Sequence, residues 1–287
     1  RGAQAASEHT RRLLGSGELL KPTISSACPA VVRLIAVRFP NLIAHIIPLK
    51  SPMELAAAQA RREAAEKTGL SPDEIAVIFI SPCAAKVTQV YYDRAHGGSQ
   101  VNFVVAMKDI YLRLAKKIAA AGADDAERLS FSGREGILWA ASGGEAAATH
   151  TGRNIAVDGI HNVIRVLEDM EDEKLGDIDF IEAIACPGGC VGGPLTTENN
   201  FVARSRLATL AASAEPVGRG VGEDINFLWE SPVIYRPVLK LNTDMKRAME
   251  MILKIDELSA RLPGLDCGSC GSPSCACFAE DVVKGYA

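Results

Sequence analysis

Three short apolar runs of this chain lead directly into a cysteine. They read Thr23-Ile24-Ser25-Ser26-Ala27-Cys28-Pro29, Ile80-Ser81-Pro82-Cys83-Ala84-Ala85-Lys86 and Ala185-Cys186-Pro187-Gly188-Gly189-Cys190-Val191-Gly192-Gly193-Pro194. Strands that end in ligand residues fit an open parallel sheet, which binds its ligands in the crevice beyond the carboxyl ends of its strands. Four thiolates delivered there can converge despite their distance along the chain. Four soft donors suit an iron-sulfur cluster or zinc. The glycines around Cys190 would let backbone N-H groups approach a cofactor closely and adopt positive φ. A single strand-end cysteine is most often a buried packing residue. Three such motifs, one of them C-x3-C, make coincidence a poor account.

The rest of the pattern agrees with a sheet of this kind. Strand-length runs are expected at Thr23 to Ser26, Ala44 to Leu49, Glu74 to Ser81, Val101 to Ala106, Asn154 to Asp158 and Asp179 to Ala185. They alternate with helical segments at Ser51 to Lys67, Met107 to Ala120 and Gly159 to Asp172, the order of a mostly parallel α/β architecture. Ser51, Pro52 and Glu54 are placed as N-cap, first helical residue and capping-box partner. After Ser231-Pro232-Val233 the composition changes, and Asn242 to Leu262 reads as an amphipathic helix ending at Pro263-Gly264. Three regions are therefore expected, at 1–230, 231–264 and 265–287.

With 287 residues and 48% hydrophobic content the chain can bury a large core. Its net charge of -4, with basic residues scattered, gives no footprint for nucleic acid or an anionic membrane. No apolar run approaches the roughly 20 residues of a spanning helix. Arg1-Gly2-Ala3-Gln4 has neither the n-region nor the h-region of a signal peptide and reads as the edge of a fragment. Eight cysteines grouped at metal-like spacings point to a reduced, cytoplasmic setting rather than to disulfides. The five histidines, His9, His45, His96, His150 and His161, form no metal motif, and neither a hydrolase elbow nor a phosphate loop is present.

The three cysteine segments resemble the signature motifs of FeFe hydrogenases, T-S-C-C-P, M-P-C-x-x-K and M-A-C-x-x-G-C-x-x-G-G. Lys50-Ser51-Pro52-Met53 and Ser142-Gly143-Gly144 resemble two further segments of that family. The resemblance implies two lobes of mostly parallel sheet flanked by helices, with the metal site between them and a small C-terminal Cys-rich helical module. It implies Cys28, Cys83, Cys186 and Cys190 as ligands of the 4Fe-4S cubane of an H-cluster. Cys190 would also bridge to a diiron subsite carrying carbonyl, cyanide and azadithiolate. Lys86 would hydrogen-bond a cyanide ligand, while the backbone at Pro82, Ala84, Gly189 and Gly192 would hold the diatomic ligands. The implied reaction is the reversible interconversion of H2 with protons and electrons, supplied by a ferredoxin-like carrier or accessory iron-sulfur domains.

Several positions depart from the family's fast enzymes. Ala27 stands where they carry a proton-relaying cysteine, and a methyl group transfers no proton. Ser81 and Ile184 replace two methionines expected against the cluster, and Gln89 replaces a glutamate. Glu182 is a candidate relay residue, with Glu145 behind it. These replacements, with Gly192-Gly193-Pro194-Leu195-Thr196, resemble the family's sensory branches. They imply slow hydrogen activation read by a signalling partner. The alternative is an assembly-type homologue that holds only cubane clusters as carrier or scaffold.

Cys267, Cys270 and Cys275 lie within Leu265 to Cys275 in a run that resembles the C-x2-C-G-x-P-x-C iron-sulfur module of corrinoid proteins. A second 4Fe-4S cluster is expected there, serving as electron relay or redox sensor, with zinc as the alternative. The module's fourth ligand would fall just beyond Ala287. Cys277, at the head of a Phe278 to Lys284 helix, is expected to be a packing residue.

Overall fold

The computed structural model describes residues 1–95, 98–121, 132–214, 221–222, 225–238 and 240–287, so that of the five histidines His96 lies outside the described residues. Its strands are β1 (Thr23–Ile24), β2 (Ile78–Ser81), β3 (Phe103–Ala106), β4 (Asn154–Asp158) and β5 (Phe180–Ile184). The helices are α1 (Gly2–Ser16), α2 (Pro29–Arg38), α3 (Pro52–Thr68), α4 (Ala84–Ala95), α5 (Met107–Ala120), α6 (Arg134–Leu138), α7 (Gly144–Ala148), α8 (Ile160–Glu171), α9 (Asn200–Ala212), α10 (Met245–Arg261) and α11 (Cys275–Lys284).

Two parallel sheets result, as the alternating pattern predicts. The larger has the order β1-β5-β4, with Thr23 and Asn154 both in register with Phe180. Its central strand β5 is buried along its whole length, the usual condition of a parallel strand covered on both faces. The main core gathers Ile24, Ile181 and Ala183 of this sheet with Leu34 and Ile35 of α2 and Val163 and Leu167 of α8. The smaller sheet pairs β2 with β3, Ile78 opposite Phe103 through Ser81 opposite Ala106. A second cluster, with Met53 and Ala57 of α3 and Val90 of α4, packs near its Phe79 and Val104.

Local chemistry sets the helix ends. Pro29 and Pro52 each stand at the first turn of a helix, where a missing N-H leaves nothing unsatisfied. Asp244 accepts from the Arg247 amide at 2.9 Å and Ser274 from the Cys277 amide at 3.1 Å, so both are N-caps. Ser51 holds the N-cap position of α3, but its hydroxyl makes no capping bond. Glu54 turns instead to Ser99 Oγ, which donates at 2.8 Å, and to the Gln100 amide, which donates at 2.6 Å.

The expected strand at Ala44 to Leu49 does not form. Pro40–His45 is a 3-10 turn, followed by isolated bridges pairing Ile46 with Ile24 and Leu49 with Leu228. Pro48 interrupts the run, since it has no N-H to give a ladder. No helix among the described residues is long and apolar enough to cross a membrane.

Candidate metal centre

Cys28 and Cys83 lie on turns between a strand and a helix, Cys186 just past β5, and Cys190 at the start of the 3-10 turn Cys190–Gly192. Cys28 is the extended N-cap residue of α2. Cys83 lies between β2 and α4, where Ser81 ties the turn: its hydroxyl accepts from the Cys83 amide at 3.0 Å and donates to the Cys83 carbonyl at 3.0 Å. A methionine could not make those bonds, so Ser81 is a turn-former here. Cys186 and Cys190 flank the glycine turn after β5. The Gly188 amide donates to Asp158 Oδ1 at the end of β4, at 3.0 Å.

Glycine is required where backbones meet. Gly189 has φ of +101°, and a Cβ there would stand 2.5 Å from the Ser142 nitrogen. Gly193 lies so close to the second motif that its Cβ would be 2.2 Å from the Pro82 carbonyl oxygen. The Leu195 amide donates to that same oxygen at 3.1 Å. The third motif is thereby pressed onto the second. Lys86 joins the second motif to the first: its buried Nζ donates to the Ala27 carbonyl at 3.3 Å.

The thiols feel one another. Burial pushes the Cys186 thiol well above its ordinary value, and the neighbouring Cys28, Cys83, Cys190 and Cys267 add to that push. Burial raises Cys190 to about 11, opposed by the Lys86 charge and reinforced by Cys28 and Cys83. Cys28 is raised by burial, against hydrogen bonds from the Ala185 and Val31 backbone. Such thiols keep their protons unless a metal takes the proton's place, and a coordinating thiol is deprotonated outright. Among the described residues no three His, Cys, Asp or Glu donors crowd as one ion requires. By chemistry, four soft thiol donors are a set that suits an iron-sulfur group.

Two buried carboxyls lie beside this site. Glu182 is on the central strand β5, not at a sheet edge, and is almost fully buried. Its oxygens accept from the Gly143 amide at 2.9 Å and the Ala146 amide at 2.7 Å. Burial raises its carboxyl, partly offset by those amides. Glu145 accepts from the Ser25 hydroxyl at 2.6 Å. Burial pushes it up to about 8, opposed by that hydrogen bond and reinforced by Glu182. Ser25 also accepts from the Ala27 amide at 3.1 Å, connecting the carboxyl to the residue before Cys28. The sequence gives little sign of Ser25 and Asp158, because a serine or aspartate at a strand end is common whatever its role.

At the C-terminus, Cys267 and Cys270 lie on the loop that leads into α11, and Cys275 is that helix's first residue. Burial raises the Cys270 thiol, and Cys267 and Cys275 both act on it. Cys277 differs: it is buried on α11, and burial followed by the Asp281 charge raises it to about 11.

Similarity to known proteins agrees with this geometry. The family "Iron only hydrogenase large subunit, C-terminal domain" matches residues 3–156 and 145–194, and the family "Putative Fe-S cluster" matches residues 262–287. The chain is 24% identical over 235 residues to the periplasmic [Fe] hydrogenase large subunit of Nitratidesulfovibrio vulgaris, covering 66% of this chain and 55% of that protein. It is 37% identical over 87 residues to the cytosolic Fe-S cluster assembly factor NAR1 of Neosartorya fischeri, covering 29% of this chain and 15% of that protein. The chain thus spans only part of each relative's length. In fold it matches a structure described as "[FeFe]-hydrogenase Oxygen Inactivation is Initiated by the Modification and Degradation of the H cluster 2Fe Subcluster", with a TM-score of 0.56 at 17% identity, covering 83% of this chain and 81% of that one. A family match that takes in every strand-end cysteine motif, on a fold shared with FeFe hydrogenases, establishes that the chain belongs to the family of C-terminal domains of iron-only hydrogenase large subunits.

Proposed function

We propose that this chain is a hydrogen-activating oxidoreductase of low turnover whose redox state is read by a partner. The observation that supports the reading is the buried Lys86 ammonium, which donates to the Ala27 carbonyl beside Cys28 at 3.3 Å and acts electrostatically on both Cys28 and Cys190. Cys28, Cys83, Cys186 and Cys190 would hold a 4Fe-4S cubane, with Cys190 bridging to a diiron subsite. When bound, the diiron unit supplies the chemistry that interconverts H2 with two protons and two electrons. Lys86 supplies positive charge and a donor for its cyanide ligand. The backbones at Pro82, Ala84, Gly189 and Gly192 would line the pocket, and Gly189 and Gly192 leave no room for a Cβ.

Proton handling passes to other groups because Ala27 has none. Ser25 holds Glu145 by a hydrogen bond, and a carboxyl raised to about 8 keeps a proton at neutral pH within two hydrogen bonds of the Ala27 amide. Glu145 is therefore assigned the proton-holding role ahead of Glu182, whose oxygens are clamped by backbone amides. The route ends at a backbone N-H rather than a thiol, which is the physical reason to expect slow turnover. Electrons would enter from a ferredoxin-like carrier through the C-terminal cluster.

The similarity to NAR1 favours a second reading, a carrier or scaffold that holds cubanes alone. Infrared spectroscopy of protein matured with the diiron assembly machinery separates the two. Carbonyl and cyanide bands that shift under hydrogen are expected from the first reading. Bands absent after maturation give the second, and bands unmoved by hydrogen remove the sensing role.

A further inference from the structure

A cavity of about 530 Å³ is enclosed by α2, α4, the segment 229–236 and the C-terminal module. That volume falls within the roughly 300–1,000 Å³ of small-molecule sites. No cysteine is among its lining residues. Its walls are fastened together in two places. Thr88 of α4 donates its hydroxyl to the Cys270 carbonyl at 2.9 Å. Arg33 of α2 pairs with Asp281 of α11, and both side chains are largely shielded.

Three polar atoms on the lining residues are buried and, among the described residues, make no hydrogen bond: Nη1 of Arg33, Oγ of Ser51 and Oε1 of Gln89. Ser51 as a whole is only 5% exposed. A buried polar group without a partner is destabilising, yet three of them, from three separate helices or helix starts, border one cavity. A mostly apolar pocket with a few unmet polar groups is the pattern of a ligand site. The three atoms set the ligand's chemistry. Gln89 Oε1 accepts, Arg33 Nη1 donates and Ser51 Oγ does either, so the ligand must present both a donor and an acceptor. Charge narrows the class further. Lys50, Arg33 and Arg236 line the cavity against Glu54, Asp93, Glu230 and Asp281. Arg33 is matched by Asp281, and Lys50 by Glu230 at 2.8 Å, so no positive excess is left to hold an anion. The aromatic walls set the shape. The Arg236 guanidinium lies 4.1 Å from the Tyr92 ring centroid, and Tyr286 meets Tyr92 edge-on at 5.6 Å. Flat surfaces of this kind favour a flat ring.

We propose that this cavity binds a neutral, planar nitrogen heterocycle of the nucleobase class, as free base or nucleoside. Gln89 and Arg33 read its donor and acceptor edge, and Ser51 completes the set. Amide and guanidinium groups are the ones suited to reading base edges. A ligand seated there touches α2, α4 and the C-terminal module together, so its binding stabilises their arrangement by mass action. The proposal does not depend on what the cysteines hold.

The test is calorimetric titration of the full chain, reconstituted with iron and sulfide, against adenine, adenosine, guanosine, cytidine and uridine. At least one should bind at a single site and raise the melting temperature, and the matching 5′-monophosphate should bind more weakly. Gln89→Leu removes the amide at similar volume and should weaken binding by at least about 10-fold. Its iron content and unliganded melting temperature should match wild type, because the amide oxygen has no hydrogen bond to lose. Ala36→Phe puts a ring into the cavity and should abolish binding; should that variant not fold, Gln89→Leu alone decides. No heat from any of the five, unchanged affinity in Gln89→Leu or in folded Ala36→Phe, or tighter binding of the monophosphate would each overturn the proposal. Toluene binding as tightly as the best nucleoside would also overturn it, since the polar atoms would then be idle.

Discussion

The Lys86 ammonium donates to the Ala27 carbonyl across 59 positions of sequence, at 3.3 Å, and so ties the turn after Cys83 to the turn before Cys28. The charge that steadies both motifs also lowers the cost of thiolate at Cys28 and Cys190.

Lys86→Met keeps the length of the side chain and removes the charge and the donor. The cubane should still assemble on the four cysteines. Diiron retention should fall by about 10- to 100-fold, the usual range for loss of a supporting partner around a metal group. Infrared carbonyl and cyanide intensity per cubane measures it, and wild-type intensity would remove Lys86 from the pocket.

Ala27→Cys restores a titrating thiol before Cys28. Hydrogen evolution per loaded site should rise by about 10²-fold, the lower range of general acid-base contributions. Iron content should be unchanged. An unaltered rate would mean that proton delivery does not limit this chain.

Glu145→Gln tests the buried carboxyl through stability. A folded-state carboxyl raised to about 8 binds its proton more tightly than the unfolded chain does. Its contribution is therefore full below the ordinary carboxylate range and is lost as pH rises toward 8, with a slope approaching about 1.4 kcal/mol per pH unit. Denaturant titrations between pH 5 and about 8 should show wild type losing stability with pH. Glu145→Gln should be markedly flatter, the remaining slope belonging to Glu182, also raised by burial. Equal slopes in both proteins would contradict the assignment.

Gly193→Ala is a steric test. Gly193 does not have positive φ, so the cost comes only from a Cβ 2.2 Å from the Pro82 oxygen and 3.0 Å from the Cys190 oxygen. Both neighbours are backbone, and the first is held by the Leu195 amide at 3.1 Å. Thermal unfolding should reveal a loss of about 2 to 4 kcal/mol, and iron bound at the main site should fall. Wild-type stability and iron content would mean that the two motifs are not pressed together.

The fold class was legible in the sequence because it rests on local patterns, and the same patterns picked out the ligand candidates. Strand-length runs that lead into cysteine follow from a few neighbouring positions. The pattern located β2 to β5 and α3, α5, α8 and α10 within a few residues. It failed at Ala44 to Leu49, where apolar content imitates a strand but Pro48 denies it a ladder. Sequence spacing also carries no information about which carboxyl finds backbone amides, as Glu182 does, and which finds a serine hydroxyl, as Glu145 does.

What the sequence determined alone is therefore the donor set: soft donors at strand ends, a lysine three positions after one of them, and a methyl group at Ala27. Tertiary structure decided how those parts act on one another. Burial raises both the Glu145 and the Glu182 carboxyl, backbone contact at Gly193 sets how two motifs meet, and the Thr88 and Arg33 attachments set where the second cysteine loop rests. These depend on distances between residues remote in sequence, and in a low-dielectric interior such distances govern the interaction energies.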